Sequence, residues 1–336
     1  MKNQKLRKST VNNLITYAMV LLFYIVVTVM INTGHASRHM KSLLVPICIN
    51  VVLAVSLNLV IGFLGELSLG HAAFMSVGAY TGGLLSIFMK NAFPNLPVML
   101  RFTMSIVAGG IAGAIFGALV CVVVLRLKGD YLAIVTLAFG EILRSIIINL
   151  EFTGGASGLK GVPQNATFTY GIVLVFITLF VINNLAKSKH GRAIQALRDN
   201  TIAATSVGIN ATKYKLMVFA LAAFFAGMAG VLYSHNYSII SAGTFDYNKS
   251  IEILVMVVLG GIGSVRGSVI AGAVIAVLPE MLRSLQDYRM LIYAIVLIVM
   301  MLGTSNEKVK NLIAKYSPVQ LVKKQLTAKK ANKEET

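Results

Sequence analysis

The chain has 336 residues, 57% of them hydrophobic and only 12% charged, with a mean hydropathy of +0.79. That composition excludes an ordinary soluble domain and points to an all-α, polytopic membrane protein, because apolar runs of about 20 residues recur from end to end. The formal net charge of +18 does not call for nucleic acid: the basic residues gather in the tails and a few loops, where membrane orientation and anionic headgroups account for them.

In chain order, a basic segment, 1–13, precedes an apolar run from Leu14 to Ile31. Gly34-His35-Ala36 resembles a small-x-small cleavage site, but the run exceeds a signal core of roughly 7–15 residues and reads as an uncleaved first span. Further spans are expected at 43–61, 67–89, 102–125, 130–150, 169–185, 214–240 and 290–303. Between the last two, 251–282 is apolar but interrupted at Gly260-Gly261-Ile262-Gly263-Ser264-Val265-Arg266-Gly267, as one re-entrant element or two short spans. Either way the total is even, about eight to ten. The N-terminal tail, Arg126, Lys128, segment 188–212 and the lysines from Lys308 to Lys333 then share one side, which predicts cytoplasmic termini. Arg38, Lys41, Lys90 and Arg101 fall opposite. The expected organisation is the tail 1–13, a transmembrane domain over 14–303, and a Lys-rich tail over 304–336 that is disordered or lies along anionic lipid. Cys48 and Cys121 lie in apolar segments and read as packed hydrophobes.

Small residues recur about four apart at Gly109-Gly110, Gly113 and Gly117, at Gly78 and Gly82, and at Ala226 and Gly230, a pattern that lets helices pack closely. Two glycine clusters, Gly62 to Gly70 and Gly260 to Gly267, instead interrupt spans. Broken backbone at membrane depth is tolerated only beside protein or a water-filled cavity. Each cluster is followed by a Gly-Ala pair, Gly78-Ala79 and Gly272-Ala273, which hints at a repeat of two halves. Gly65, Gly70, Gly260, Gly261 and Gly263 are the candidate hinges. Asn58, Glu66, Ser68 and His71 surround the first break and are candidates to line a translocation path; alternatively, Glu66 and His71 sit at the membrane edge or satisfy each other. Glu141 and Arg144, three apart on one helix face, form an ion pair in the simplest reading, and Glu280 with Arg283 repeats the spacing. Glu252 and Arg266 bracket the second cluster without an assigned role.

The loop 151–168 contains Thr153-Gly154-Gly155-Ala156-Ser157-Gly158-Leu159-Lys160-Gly161, which fails the phosphate-loop pattern because Leu159 separates Gly158 from Lys160. A flexible outer loop, touching a solute-delivering partner, is expected there. No nucleophile elbow, HExxH or Cys/His metal spacing is present in the sequence, so neither an enzyme nor a metal site is predicted. The charged segment 188–212 is different. Asn200 is a suitable N-cap for a short helix over Thr201 to Val207, ended by Gly208. Ile194, Leu197, Ala203, Ala204 and Val207 form an apolar stripe, whereas Arg192, Gln195, Arg198 and Asp199 point elsewhere. Such a helix enters a cleft on a soluble partner or lies on lipid.

Ile202-Ala203-Ala204-x-x-x-Gly208 resembles the EAA---G coupling motif of bacterial ABC importer permeases, departing from it at Ile202, where the motif has glutamate. Gly65-Glu66-Leu67-Ser68-Leu69-Gly70-His71-Ala72-Ala73-Phe74 with Gly78-Ala79-Tyr80 resembles the branched-chain amino acid permeases. So do Gly129-Asp130-Tyr131-Leu132-Ala133-Ile134-Val135-Thr136-Leu137, the Thr153 to Leu159 loop, Gly191-Arg192-Ala193 and Leu259-Gly260-Gly261-Ile262-Gly263-Ser264. The resemblance covers 43–303 and is nearer to LivM-type than to LivH-type subunits. It implies a permease subunit of a bacterial inner-membrane importer of Leu, Ile or Val, beside a second, LivH-like permease, two ABC ATPases and an extracytoplasmic solute-binding protein. It also implies no cofactor of its own, ATP being bound by the ATPases, and coupling through Arg192, Arg198, Asp199, Ala203, Ala204 and Gly208. Related permeases carry urea or amides, other amino acids or aromatic acids. The alternative is an ion-coupled secondary transporter with Glu66, His71 or Glu141 as proton carriers.

Overall fold

The structure is a computed structural model that describes residues 2–281, except 35–36, 125–126 and 128, together with isolated positions between 288 and 298. The chain is almost entirely helical. Six long helices run α1 (Lys2–Asn32), α2 (Arg38–Asn58), α3 (His71–Ala92), α4 (Val98–Val124), α5 (Asp130–Asn149) and α6 (Phe168–Lys187). Two short ones, α7 (Lys189–Asp199) and α8 (Thr201–Ser206), lead into α9 (Ala211–Ser234), and α10 (Tyr247–Gly260) and α11 (Val265–Met281) follow. Among the described residues, seven helices are long and apolar enough to cross a membrane: α1 to α6 and α9. The chain is a multi-pass membrane protein.

Local chemistry sets the helix starts. The side chains of Ser37, Ser188, Asn200, Asn210 and Asp246 each accept an amide from the first turn that follows, capping α2, α7, α8, α9 and α10. The centre is built on glycine. α9 packs against α3 and α4 along Gly78, Gly109, Gly113, Gly227 and Gly230, where an added Cβ would strike the backbone of a neighbouring helix. Lipid tails offer no hydrophobic drive for helices to associate, so close backbone approach supplies the packing energy instead. α2 and the turn after it are enclosed almost throughout, whereas α1 buries little of its surface.

Several sequence expectations change. α1 begins at Lys2 and runs through the basic segment 1–13, while its membrane-crossing part is Ile15–Asn32. The stretch 251–282 resolves into two helices separated by the break after Gly260. The span expected at 214–240 ends at Ser234, and Ile239–Ile240 pairs antiparallel with Leu159–Lys160. The loop 151–168 is therefore tied down rather than loose, and Thr153 Oγ1 adds bonds of 2.6 Å to the carbonyls of Ile147 and Leu150. All but isolated positions of the expected span 290–303, together with the tail 304–336 and Arg283, lie outside the described residues.

Candidate functional site

Two interruptions of the helical backbone meet. The first begins where α2 widens into a π-helical turn, Leu59–Leu64, closed by Gly65 at φ +80°; no helix follows until His71. π-turns free backbone groups and recur at functional positions. The second is the link between α10 and α11, with Gly261 and Gly263 at φ +88° and +81°. Asn58 Oδ1 accepts the Gly263 amide at 2.9 Å. A Cβ on Gly62 would collide with the Gly263 backbone, so this approach requires glycine. Gly260 and Gly267 face each other just as closely across the second break.

The segment 188–212 closes over the first break. Arg198 Nη1 donates to the Gly62 carbonyl at 3.0 Å, while its Nε and Nη2 donate to Asp199 Oδ1 at 3.0 and 2.9 Å. Its aliphatic stem lies against Gly65. Lys215, in the second turn of α9, forms an ion pair with Glu66; the side chains are 9% and 14% exposed. A buried pair of this kind repays its desolvation only with good geometry and is costly to break on one side. The loop ahead of α3 is fastened from other directions too. The Leu69 amide donates to Thr136 Oγ1 at 3.0 Å, and the Ala72 amide to Ser250 Oγ at 3.2 Å. His71 Nε2 lies 2.8 Å from Ser56 Oγ, and its ring meets Phe74 edge-on.

Asn58, Glu66, Ser68 and His71 thus fall around one break. Glu66 and His71 do not satisfy each other: the first pairs with Lys215 and the second with Ser56. Asn58, Ser68 and His71 are buried, and among the described residues Asn58 Nδ2 and Ser68 Oγ have no hydrogen-bond partner. Gly70 packs against the Thr136 backbone. Of the coupling candidates, Arg198 reaches the break directly. Arg192 is exposed and donates to the Lys187 carbonyl at 3.4 Å. Ala204 is buried with Ile194 and Leu197, but Ala203 and Val207 are exposed rather than part of that buried stripe. Gly208, at φ +88°, ends the helix as expected. Together α8 and its exit present Ile202 and Val207, 79% and 77% exposed. Glu252 and Arg266 hold other partners: Lys249 Nζ at 3.0 Å and Thr16 Oγ1 at 2.9 Å. Sequence reasoning missed Lys215, Thr136 and Ser250. Only Lys215 left a signal, a charge one turn inside an apolar run.

Fold and site together define an all-α membrane subunit whose two helix breaks are bonded to each other and to a charged surface segment. Residues 39–301 match the family described as branched-chain amino acid transport system, permease component, and the chain belongs to that family. It is 34% identical over 289 residues to the high-affinity branched-chain amino acid transport system permease protein LivM of Salmonella typhimurium, covering 76% of this chain and 66% of that protein. The Escherichia coli LivM is likewise 34% identical, over 290 residues with the same shares. The ribose import permease protein RbsC of Haemophilus influenzae is 28% identical over 310 residues, covering 84% of this chain and 90% of that protein. The chain spans just under two thirds of the length of the LivM relatives, at 66%. No solved structure matches it.

Proposed function

We propose that the chain is one permease subunit of an ATP-driven importer of branched-chain amino acids or a related small polar solute. It pairs with a second, LivH-like permease in a bacterial inner membrane, with the termini and α7–α8 on the cytoplasmic side. Two ABC ATPases dock there, and an extracytoplasmic binding protein delivers solute on the opposite face. The observation that carries this reading is the continuity from α8 to both breaks. An exposed apolar tip suits a cleft on a soluble partner. Behind it, Arg198 holds the Gly62 carbonyl, Lys215 holds Glu66, and Asn58 holds Gly263. Closure of the ATPase pair would move α7–α8 and, through these bonds, shift the two breaks between inward- and outward-open arrangements. The ATPases bind the ATP, and this chain supplies the path.

The test is co-purification of the detergent-solubilised complex, wild type beside Gly208→Arg, with mass spectrometry of what is retained. Wild type should hold a second permease and two ATPases, and the variant should keep the permease and lose the ATPases. A wild-type chain that carries solute with no ATPase bound would instead establish an ion-coupled transporter.

A further inference from the structure

α5 carries a charge pair where a lipid-facing helix would not. Glu141 and Arg144 lie about 16 and 21 Å along a span whose full rise is about 30 Å, the first near its middle and the second about 8 Å from its end, at a helical rise of about 1.5 Å per residue. Arg144 Nε donates to Glu141 Oε2 at 2.8 Å, yet the side chains stay 33% and 31% exposed. Charges at that depth are stable only against protein, water or a ligand. A second observation points to the same place. Glu141 Oε1 accepts the Tyr247 amide at 3.2 Å, which brings the 3-10 turn Ala242–Phe245 and its caps Ser241 and Asp246 towards the level of the pair. Backbone outside a continuous α-helix at membrane depth is tolerated only in protein or along an aqueous cavity. Tyr247 and its chain neighbour Asn248 are exposed, as are Ala138 and Ser145, three before and four after Glu141 on the same face of α5. The pair, the start of α10 and these small residues form one open patch, polar at its centre and edged by exposed Ile142 and Ile146, which we read as the wall of a recess.

Within the recess the guanidinium is only partly used. Both Glu141 oxygens have partners, but among the described residues nothing in the chain bonds Arg144 Nη1 or Nη2. A free guanidinium edge of that kind takes a carboxylate through two parallel hydrogen bonds. Glu141 fixes its orientation and keeps lone-pair capacity for an ammonium. We propose that this recess is a binding station on the solute path, with Arg144 holding the carboxylate of an α-amino acid and Glu141 acting as the positioning residue and ammonium acceptor. A zwitterion leaves the recess neutral overall, as the empty ion pair does. The inference rests on the proposed function for its solute, but not for its access to water.

Two readouts keep those apart, both in the assembled complex in proteoliposomes. First, Ser145→Cys is treated with a charged, membrane-impermeant thiol reagent; the native Cys48 and Cys121 are buried. Modification is expected, and a complete lack of it overturns the recess whatever the complex transports. Second, Arg144→Gln is compared with Arg144→Lys for leucine uptake and for ATP hydrolysis stimulated by leucine-loaded binding protein. Glutamine should lower uptake by about tenfold or more while hydrolysis stays within about twofold, and lysine should restore part of the uptake. Unchanged uptake in Arg144→Gln, or loss of the second permease from that variant on purification, overturns the assignment, the latter by making the face a subunit contact. If Ser145→Cys reacts but the wild-type complex hydrolyses ATP without carrying leucine, the branched-chain solute in the proposed function fails and the aqueous recess stands.

Discussion

The molecule contains two Glu–basic pairs of similar chemistry and opposite accessibility. Glu66–Lys215 is 14% and 9% exposed and joins two elements far apart in sequence. Glu141–Arg144 is 31% and 33% exposed and stays within one helix. Enclosure makes the first a fastener, since a buried charge stripped of its partner has nowhere to go. Among the described residues the second leaves guanidinium nitrogens uncommitted, so its charge is available to something that enters. Burial, more than residue type, assigns the two pairs their different work.

Breaking the fastener gives the largest expected effect. Glu66→Gln or Lys215→Met alone should destabilise the complex by about 3–5 kcal/mol, because each leaves a buried charge unpaired. The double variant Glu66→Gln with Lys215→Met should recover much of that loss. Thermal denaturation followed by size-exclusion chromatography measures it, and a double variant as unstable as the worse single one would show that the pair is not the source. The same treatment of the open pair should look different. Glu141→Gln should cost about 1 kcal/mol or less in stability, as for a partly solvated pair, while uptake falls. Equal destabilisation by Glu66→Gln and Glu141→Gln would erase the distinction.

Only part of this contrast could be read from the residues. The Glu141–Arg144 pair was legible because both partners lie on one helix, three apart. So was the capped helix beginning at Thr201, whose Asn200 cap is a local signal; its side chain accepts the Ala203 amide at 3.0 Å. The glycine breaks were visible as interruptions of apolar runs, and the α3–α4–α9 contact as glycines spaced four apart. Glu66–Lys215 was not visible, because 149 positions separate its partners and no local pattern couples them. The contact between the two breaks was hidden for the same reason: Asn58 and Gly263 are 205 positions apart. The similarity of the two glycine clusters suggested a repeat; that the fold brings the clusters against each other was not legible from it. Periodicity also put Val207 on the apolar stripe of its segment, but the helix ends at Ser206, and the residue past the end faces outward.

A middle-sized effect tests whether the fastened end transmits motion or merely holds shape. Arg198→Ala removes the donor to the Gly62 carbonyl, a charge-assisted bond worth about 1.5–3 kcal/mol where it is shielded from water. Arg198 is partly exposed, so the stability loss should be nearer about 1 kcal/mol. Transport should fall far more than that, with ATP hydrolysis persisting, because the π-turn would no longer follow α7. If hydrolysis and uptake fall in proportion, Arg198 serves docking rather than transmission.

The smallest effect on stability belongs to the exposed tip, and it separates surface from core most sharply. Ile202 and Val207 are almost fully open in the isolated chain, so Ile202→Glu should change stability by no more than about 0.5 kcal/mol. The related coupling motif has glutamate at that position, so the substitution also asks what the apolar residue does there. If the proposed ATPase partner receives this tip in an apolar cleft, glutamate should weaken ATPase retention by about tenfold, the cost of desolvating a carboxylate without a partner. If the cleft offers a basic partner, retention should hold or improve. Co-purification of the ATPases with Ile202→Glu, read beside Val207→Ser as a neutral truncation of the same tip, distinguishes the two. An apolar cleft would mean that the permease and its engine have diverged together at this contact.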